Sequence, residues 1–329
     1  MGNPSAPSKI LDKSILIRYS ALFDDRSDDP KDIERVAELL CSLLSLQLFL
    51  LPYVDYYLII YTLEPYIQRL QELLNLLKIK LFSFIIIDDQ KDIAFSESIK
   101  NCSWVDRICI RRMLTDFREL PSHTFRLLMG TDCYFFNVPQ EIIAYTWNQN
   151  PDYKVYYMID NLTFGGKPYK LRYYQPHILP GLHGDFYCLA PGVTLKTESI
   201  ISCLKIVDDW PLHQRYLPDV PKQLREKVFT CEQQAASMLL GQFPAKMLPP
   251  STYNHYAPKP KTILLHAKAP WRMIGKVPDN LFCAMQDIYT CLGYHHILNE
   301  METAKIHERK FKRKIKYLVW KLTGYHKLI

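Results

Sequence analysis

The sequence predicts an α/β fold: one mixed sheet sandwiched by helices, with a helical C-terminal extension. Through the first 140 residues, short continuous apolar runs alternate with segments of helical period, the pattern of a parallel sheet covered on both faces. After residue 136 the runs shorten and turn residues crowd between them, as in antiparallel pairs. The length of 329 residues, 48% of them hydrophobic, supplies a substantial core for one large or two ordinary domains. No internal repeat or low-complexity tract divides the chain.

Taken in order, residues 15–19 (Ile-Leu-Ile-Arg-Tyr) read as a first strand. Residues 32–47 have helical spacing behind an Asp-Asp-Pro start signal. Residues 54–61 are a continuous apolar strand, and 64–77 a helix opened by Pro65 in its first turn. Residues 80–87, ending at Asp88-Asp89, form a third buried strand; 108–120 are helical up to Pro121; 124–136 form a fourth strand. Beyond it, 153–159 and 170–174 read as antiparallel strands or a hairpin around Gly165-Gly166, and 186–189 as a strand. Residues 199–209 and 232–240 read as helices, 261–266 as a final strand and 279–293 as a helix before the tail.

Charge is unevenly divided. The net charge is +7, but residues 305–329 carry nine Lys/Arg against one acid, so the preceding 304 residues sum to −1. A protein whose surface reads a phosphate backbone spreads its basic charge over a domain, so no nucleic-acid partner is expected. Only 11 glycines are present, and none falls as G-x-G-x-x-G or as a Gly-rich loop ending in Lys-Ser/Thr, which removes dinucleotide and P-loop sites. H-E-x-x-H and G-x-S-x-G are absent as well. The nine cysteines are scattered and never spaced C-x-x-C, as in a reduced cytosolic protein. The first residues lack an apolar signal core, and Ala6 breaks the myristoylation pattern. The uncharged stretch 39–54 is shorter than the roughly 20 residues a spanning helix needs and reads as a buried helix running into a loop.

Ligands of open α/β sheets collect at the carboxyl ends of strands, and Leu127-Leu-Met-Gly-Thr-Asp132 places a carboxylate at such an end. By strand alternation Gly130, Asp132 and Tyr134 share a face. The block Arg111-Arg112, Leu120-Pro121 and Phe125 through Asp132 to Asn137-Val-Pro-Gln-Glu resembles the GT-A-fold glycosyltransferases, most closely the glycogenin-like and lipopolysaccharide galactosyltransferase group. There an Arg-bearing helix leads through Leu-Pro to a strand reading Asp-x-Asp, then an apolar pair and Pro-x-Glu. Further pieces follow in the same order. Leu-His183-Gly184-Asp185 resembles that family's Asn-x-Gly strand, Glu232-Gln233 its Asp-Gln, Leu248-Pro-Pro-Ser-Thr-Tyr253-Asn254 its Leu-Pro-x-x-Tyr/Trp-Asn, and His266-Ala-Lys268-Ala-Pro270-Trp271 its closing His…Lys-Pro-Trp.

The resemblance covers residues 15–275 and implies a GT-A-type, Rossmann-like mixed sheet. It implies a retaining transfer of a sugar from a nucleotide-diphosphate donor to a saccharide or glycolipid acceptor, as in polysaccharide biosynthesis. Asp132 and His266 are then the ligands of Mn2+ or Mg2+, an ion that neutralises charge on a departing diphosphate. Arg111, Arg112, Lys268 and Tyr19 are donor or phosphate contacts. Gln233 and Glu232 lie near the reacting carbon, and His183, Asp185 and Asn254 belong to the sugar or acceptor side, with exposed rings among Tyr153, Tyr156, Tyr157, Tyr169, Tyr173 and Tyr174 to stack on it. The sequence departs from the pattern: Gly130 replaces the first acid of Asp-x-Asp, His183 the Asn, Glu232 the Asp, and the Gly between the closing His and Lys is missing. Gly130 motivates the alternative, a catalytically silent relative that binds sugar nucleotide or scaffolds a membrane assembly.

The divisions expected are a flexible N-terminus at 1–14, the GT-A-like domain at 15–275, a helical extension at 276–304 and a basic amphipathic helix at 305–329. In that helix Phe311, Ile315, Leu318, Val319, Leu322 and Tyr325 recur at spacings of three and four, with Lys312, Arg313, Lys314, Lys316 and Lys321 on the remaining arc and Trp320 at the boundary. This reads either as a membrane-surface helix on an anionic leaflet, placing a cytoplasmic protein at the inner face of a membrane, or as a helix packing its stripe on the domain.

Overall fold

The computed structural model describes residues 14–21, 23, 29–86, 124–147, 151–159, 163–164, 167–168, 182–196, 198–200, 202–203, 231–255, 258 and 260–322. Its first half contains β1 (Ile15–Ser20), α1 (Pro30–Phe49), β2 (Tyr56–Thr62), α2 (Ile67–Leu76), β3 (Leu81–Ile86), β4 (Phe125–Met129), β5 (Cys133–Phe135) and α3 (Gln140–Trp147). The second half adds β6 (Val155–Ile159), the short hairpin β7 (Thr163–Phe164) and β8 (Lys167–Pro168), β9 (Leu182–Leu189), α4 (Cys231–Leu240) and β10 (Ala245–Met247). It closes with β11 (Tyr253–His255), β12 (Leu264–His266), a 3-10 segment at Pro270–Lys276, α5 (Asp279–Leu292) and α6 (His295–Leu322).

Seven strands form the main sheet in the order β10-β6-β9-β4-β1-β2-β3. β1, β2, β3 and β4 run parallel, as their uninterrupted apolar sequences predict, and β9 enters antiparallel between β4 and β6. A second sheet of three strands, β11-β12-β5, stands beside it, with β12 antiparallel to β5. The chain passes from one sheet to the other at a turn over Gly130, Thr131 and Asp132, where the amide of Cys133 donates to the Gly130 carbonyl at 3.2 Å. The single strand expected over 124–136 is therefore two strands with a turn between them. Asp132 is a turn residue, and strand alternation does not place it on a common face with Tyr134.

α1 explains how this turn is held. Asp29 caps the helix by accepting from the Lys31 amide at 2.9 Å, Pro30 fills the first turn, and Val36, Leu39, Leu40, Leu43, Leu44 and Leu46 are buried. Pro30–Tyr53 is long and apolar enough to cross a membrane, but 72% of its apolar window is buried inside the protein. Two serines interrupt the apolar face for a specific purpose. Ser42 donates to the Cys133 carbonyl, and Ser45 accepts the Phe135 amide at 3.0 Å while donating to the Ser42 carbonyl at 2.7 Å. Among the described residues β5 pairs on one side only, with β12, and these hydroxyls bond backbone groups on its other side.

Elsewhere the elements match their patterns with shifted ends. β9 starts at Leu182 rather than residue 186, and β12 starts at Leu264 rather than 261. β10 and β11, three residues each, carry too few side chains to show a period. α6 is one helix from His295 to Leu322, so the expected division at 304/305 falls inside a continuous element. The segments 108–120 and 170–174, most of 199–209 and nearly all of 1–14 lie outside the described residues.

Removing the Ser45 hydroxyl strands the buried Phe135 amide. Ser45→Ala is expected to lower the unfolding free energy by about 1–3 kcal/mol, measured by urea denaturation; an unchanged midpoint would rule out the clamp.

Candidate functional site

The turn at the end of β4 lies against the segment that follows β12. The amide of Ala267 donates to the Asp132 carbonyl at 3.0 Å, and the β5/β12 register sets Cys133 opposite His266. Asp132 and His266 thereby meet, with Oδ2 to Nε2 at 3.1 Å.

β9 brings the next two residues. In its pairing with β6, Tyr157 faces Tyr187 but Ile159 faces Leu182, so residues 183–186 of β9 bulge opposite Met158 alone. Such extra residues re-aim side chains. Here they turn His183 inward and Asp185 toward His266, whose Nε2 lies 3.8 Å from Asp185 Oδ2. His183 Nδ1 accepts the Asp185 amide at 3.0 Å, closing the bulge on itself.

β11 supplies His255, whose position the parallel pairing fixes opposite His266. Its Nε2 is 3.2 Å from the carbonyl of Ile159, and a carbonyl only accepts, so the proton of His255 is on Nε2. Burial, reinforced by the neighbouring His266, pushes His255 down to about 4, which keeps the ring neutral and its Nδ1 bare. That nitrogen lies 3.1 Å from His266 Nδ1, which must donate to it. His266 consequently has only Nε2 to offer, aimed at two carboxylate oxygens. The position between them takes positive charge: a proton, pairing His266 with Asp132, or a metal cation. Burial pushes the Asp132 carboxyl up, but the charge and hydrogen bond of His266, the backbone amide and Lys268 together outweigh it and hold the group below the usual carboxylate range.

Two groups here have metal-ligating spacing: Asp132, Asp185 and His266, and His183, His255 and His266. Hydrogen bonding decides between them. In the all-histidine group, His183 Nδ1 is taken by the Asp185 amide and both nitrogens of His255 are committed. The mixed group presents two carboxylate oxygens and one imidazole lone pair within 4.8 Å of one another, a donor set that suits a hard or borderline divalent ion such as Mn2+ or Mg2+. A third group, Glu34, His296 and Glu300, is bridged by Arg272, which bonds both acids at 3.1 and 3.0 Å, and serves to tie α1 to α6.

No family model matches the chain, and no curated protein sequence matches it. Among solved structures, the WbbM bifunctional glycosyltransferase superposes with a TM-score of 0.50 at 10% identity over 85% of this chain and 51% of its own, so this chain spans about half of that protein's length. Mouse xyloside xylosyltransferase 1 gives 0.48 at 10% identity over 77% of this chain and 97% of its own. The galactosyltransferase LgtC gives 0.43 at 12% identity over 77% and 86%. The fold is of the GT-A glycosyltransferase type.

In this GT-A fold, Asp132 and His266 are in contact, and Asp185 stands beside them. His183 is buried beneath them, its ring centroid 4.3 Å from that of His266. Lys268 is exposed at the rim. Tyr19 is fully buried with its hydroxyl 3.0 Å from Ser42 Oγ, so it braces the core under the turn and does not face a ligand; its side chain ends in the α1 interface because β1 is covered on both faces. Asn254 is likewise internal, donating to Thr262 Oγ1 at 2.8 Å to hold the β11/β12 connection. Glu232 and Gln233 fall in the first turn of α4. Tyr157 is buried, Tyr156 stacks on Tyr145 at 3.9 Å, and Tyr153 is exposed. Arg111, Arg112, Tyr169, Tyr173 and Tyr174 lie outside the described residues. Sequence reasoning missed His255, although it directly follows the Tyr253-Asn254 motif. It missed Glu38 too, whose Oε1 accepts the Ala269 amide at 2.8 Å and so holds the loop carrying Lys268, where Ala269 adopts φ 49°.

Burial raises the Glu38 carboxyl above its ordinary value, with the Ala269 amide opposing in part. The folded state thus binds this proton more tightly than the unfolded state. Ionised Glu38 costs stability, which declines as pH rises from the ordinary glutamate value through the raised one. Subtracting the stability profile of Glu38→Gln from that of the natural chain should leave a component that falls with pH in that window; a flat difference would refute it.

Proposed function

We propose that this protein is a glycosyltransferase, moving a sugar from a nucleotide-diphosphate donor to a saccharide or glycolipid acceptor with retention of anomeric configuration and the help of Mn2+ or Mg2+. The observation that carries the reading is the convergence of Asp132, Asp185 and His266 at the end of β4, at a position in the GT-A fold where sequence resemblance expects the diphosphate. These three residues would hold the ion, which when bound offsets the negative charge growing on the departing nucleoside diphosphate.

The remaining work falls to the protein's own groups. His255, anchored on the Ile159 carbonyl, keeps the His266 lone pair directed at the carboxylates. Glu38 fixes the Ala269 backbone and with it the approach of Lys268, a cation at the rim for phosphate oxygens. Gln233 and Glu232, carried by the start of α4, are the groups proposed beneath the sugar, and Tyr153 offers an exposed ring for the acceptor. The silent alternative rests on Gly130; a second carboxylate beside Asp132 favours the enzyme.

Nucleoside diphosphates should raise the melting temperature in the presence of Mn2+, a stabilisation of about 2.7 kcal/mol at a ligand concentration near 100 times Kd. Asp132→Ala should abolish the Mn2+-dependent part. If no nucleoside diphosphate stabilises the protein with or without metal, the reading fails.

We also propose that α6 meets an anionic membrane surface. Phe311, Ile315 and Leu318 are 63%, 45% and 47% exposed on one stripe of the helix, so this part of the stripe is not packed on the domain. Lys312, Arg313 and Lys314 are exposed around it, and Lys316 and Trp320 follow in the same helix. Each basic residue near such a surface contributes about 1 kcal/mol. The intact chain should float with vesicles containing phosphatidylserine and Phe311→Ser/Ile315→Ser should not; equal flotation refutes the membrane role.

A further inference from the structure

We infer that Asp185 is the relocated first acid of this site: the carboxylate that an Asp-x-Asp turn would carry at position 130 stands instead on the facing strand, and position 130 is glycine because Asp185 fills its space. The inference rests on the metal-assisted reading above and gives its missing ligand a residue.

The register makes the exchange possible. β4 and β9 are antiparallel with Met129 opposite Phe186, which sets position 130 against 185, and the Gly130 amide donates to the Asp185 carbonyl at 2.7 Å. A Cβ added to Gly130 would lie 2.7 Å from Asp185 Cβ, 3.1 Å from its Cγ and 3.1 Å from Asp132 Oδ1. The first of these is closer than real Cβ atoms approach, and Asp185 Cβ is fixed to the backbone, so no rotamer relieves it. Gly130 does not adopt a positive φ, in contrast to Gly192 and Gly293, so the backbone does not demand glycine here. What demands it is space. Of the two facing positions only one accommodates a side chain, and in this chain that one is 185.

From there the carboxylate reaches the same ion position. Asp185 Oδ2 lies 3.8 Å from His266 Nε2, grouped with Asp132 within 4.8 Å. Its side chain is 40% exposed against 17% for Asp132, which puts Asp185 at the mouth of the site with Asp132 behind it. Read onto the Asn-x-Gly pattern that starts at His183, Asp185 occupies the glycine position. Glycine and aspartate have traded places across one rung of the ladder, which keeps one acid and one space.

Calorimetric titration of the full chain with Mn2+ alone tests this. The natural chain should bind, and Asp185→Asn, close in volume, should weaken binding by more than roughly tenfold, the scale seen when even a supporting group of a metal site is lost. Gly130→Asp alone should lower the melting temperature, and Gly130→Asp/Asp185→Gly should recover both the melting temperature and the Mn2+ affinity that Asp185→Asn loses. If the natural chain binds and Asp185→Asn binds equally well, the role of Asp185 is overturned while the metal-assisted reading survives. A natural chain that takes up no Mn2+ overturns both. A folded double variant with no better affinity than Asp185→Asn overturns the relocation. Should the double variant fail to fold, Gly130→Ala against Gly130→Ala/Asp185→Gly decides the steric half: a melting temperature lowered in the first and unrecovered in the second overturns it.

Discussion

The hydrogen bond from His255 Nε2 to the carbonyl of Ile159 sets the protonation of the whole site. A carbonyl accepts and never donates, so this contact puts the His255 proton on one nitrogen and leaves the other bare. Everything beyond follows by alternation: His266 gives its Nδ1 proton inward and presents Nε2 outward, where two carboxylates wait. Neutrality of the inner rings is part of the same device. Burial pushes His183 well below its ordinary value, with His266 and His255 adding to the effect, so the positive charge of the cluster is concentrated at the outer position. A chain of neutral imidazoles behind His266 orients its ring and leaves Nε2 directed at the carboxylates.

Such a relay works only if its strands are held in register, and the supports are polar groups placed inside apolar elements. Ser42 and Ser45 on α1 clamp β5; Glu38 on the same helix fixes the Ala269 backbone; Asn254 ties β11 to Thr262. One helix thereby positions both segments that carry the site, the turn with Asp132 and the loop with Lys268. The turn and the loop are also bonded directly through the Ala267 amide and the Asp132 carbonyl. Apolar burial along α1 offsets the cost of placing the Glu38 carboxyl in its interior, where burial raises it above the ordinary value.

Much of this fold was legible in the sequence because its strands are covered on both faces. Residues 56–62 and 81–86 are continuous apolar runs, and α1 and α5 show clean helical spacing between good boundary residues. Legibility ends where an element is too short to have a period, as in β10 and β11, or where one run holds two elements, as in β4 and β5. The site divides in the same way. Asp132 could be singled out because it follows an apolar strand closely, and His266 because it falls in the closing motif of the resemblance. Tyr19 and Asn254 point inward, to Ser42 of α1 and to Thr262, and local pattern alone does not reveal such internal partners. Asp185 could be named but not placed. A three-residue register slip opposite Met158 is what turns it toward His266, and no property of the residues 183–186 taken alone announces a slip that depends on the partner strand.

The division of charge takes on a structural meaning in the same terms. At the base of α6, Arg272 spans Glu34 and Glu300, and Trp271 donates to Glu300 at 2.7 Å, which roots the helix against the domain. That root buries Ile297 and Met301. One long helix thus joins a half with its apolar residues spent on the core to a half that keeps Phe311, Ile315 and Leu318 outside. The two halves belong to one continuous helix, so the exposed stripe is carried on the same element that Glu300, Ile297 and Met301 fasten to the domain.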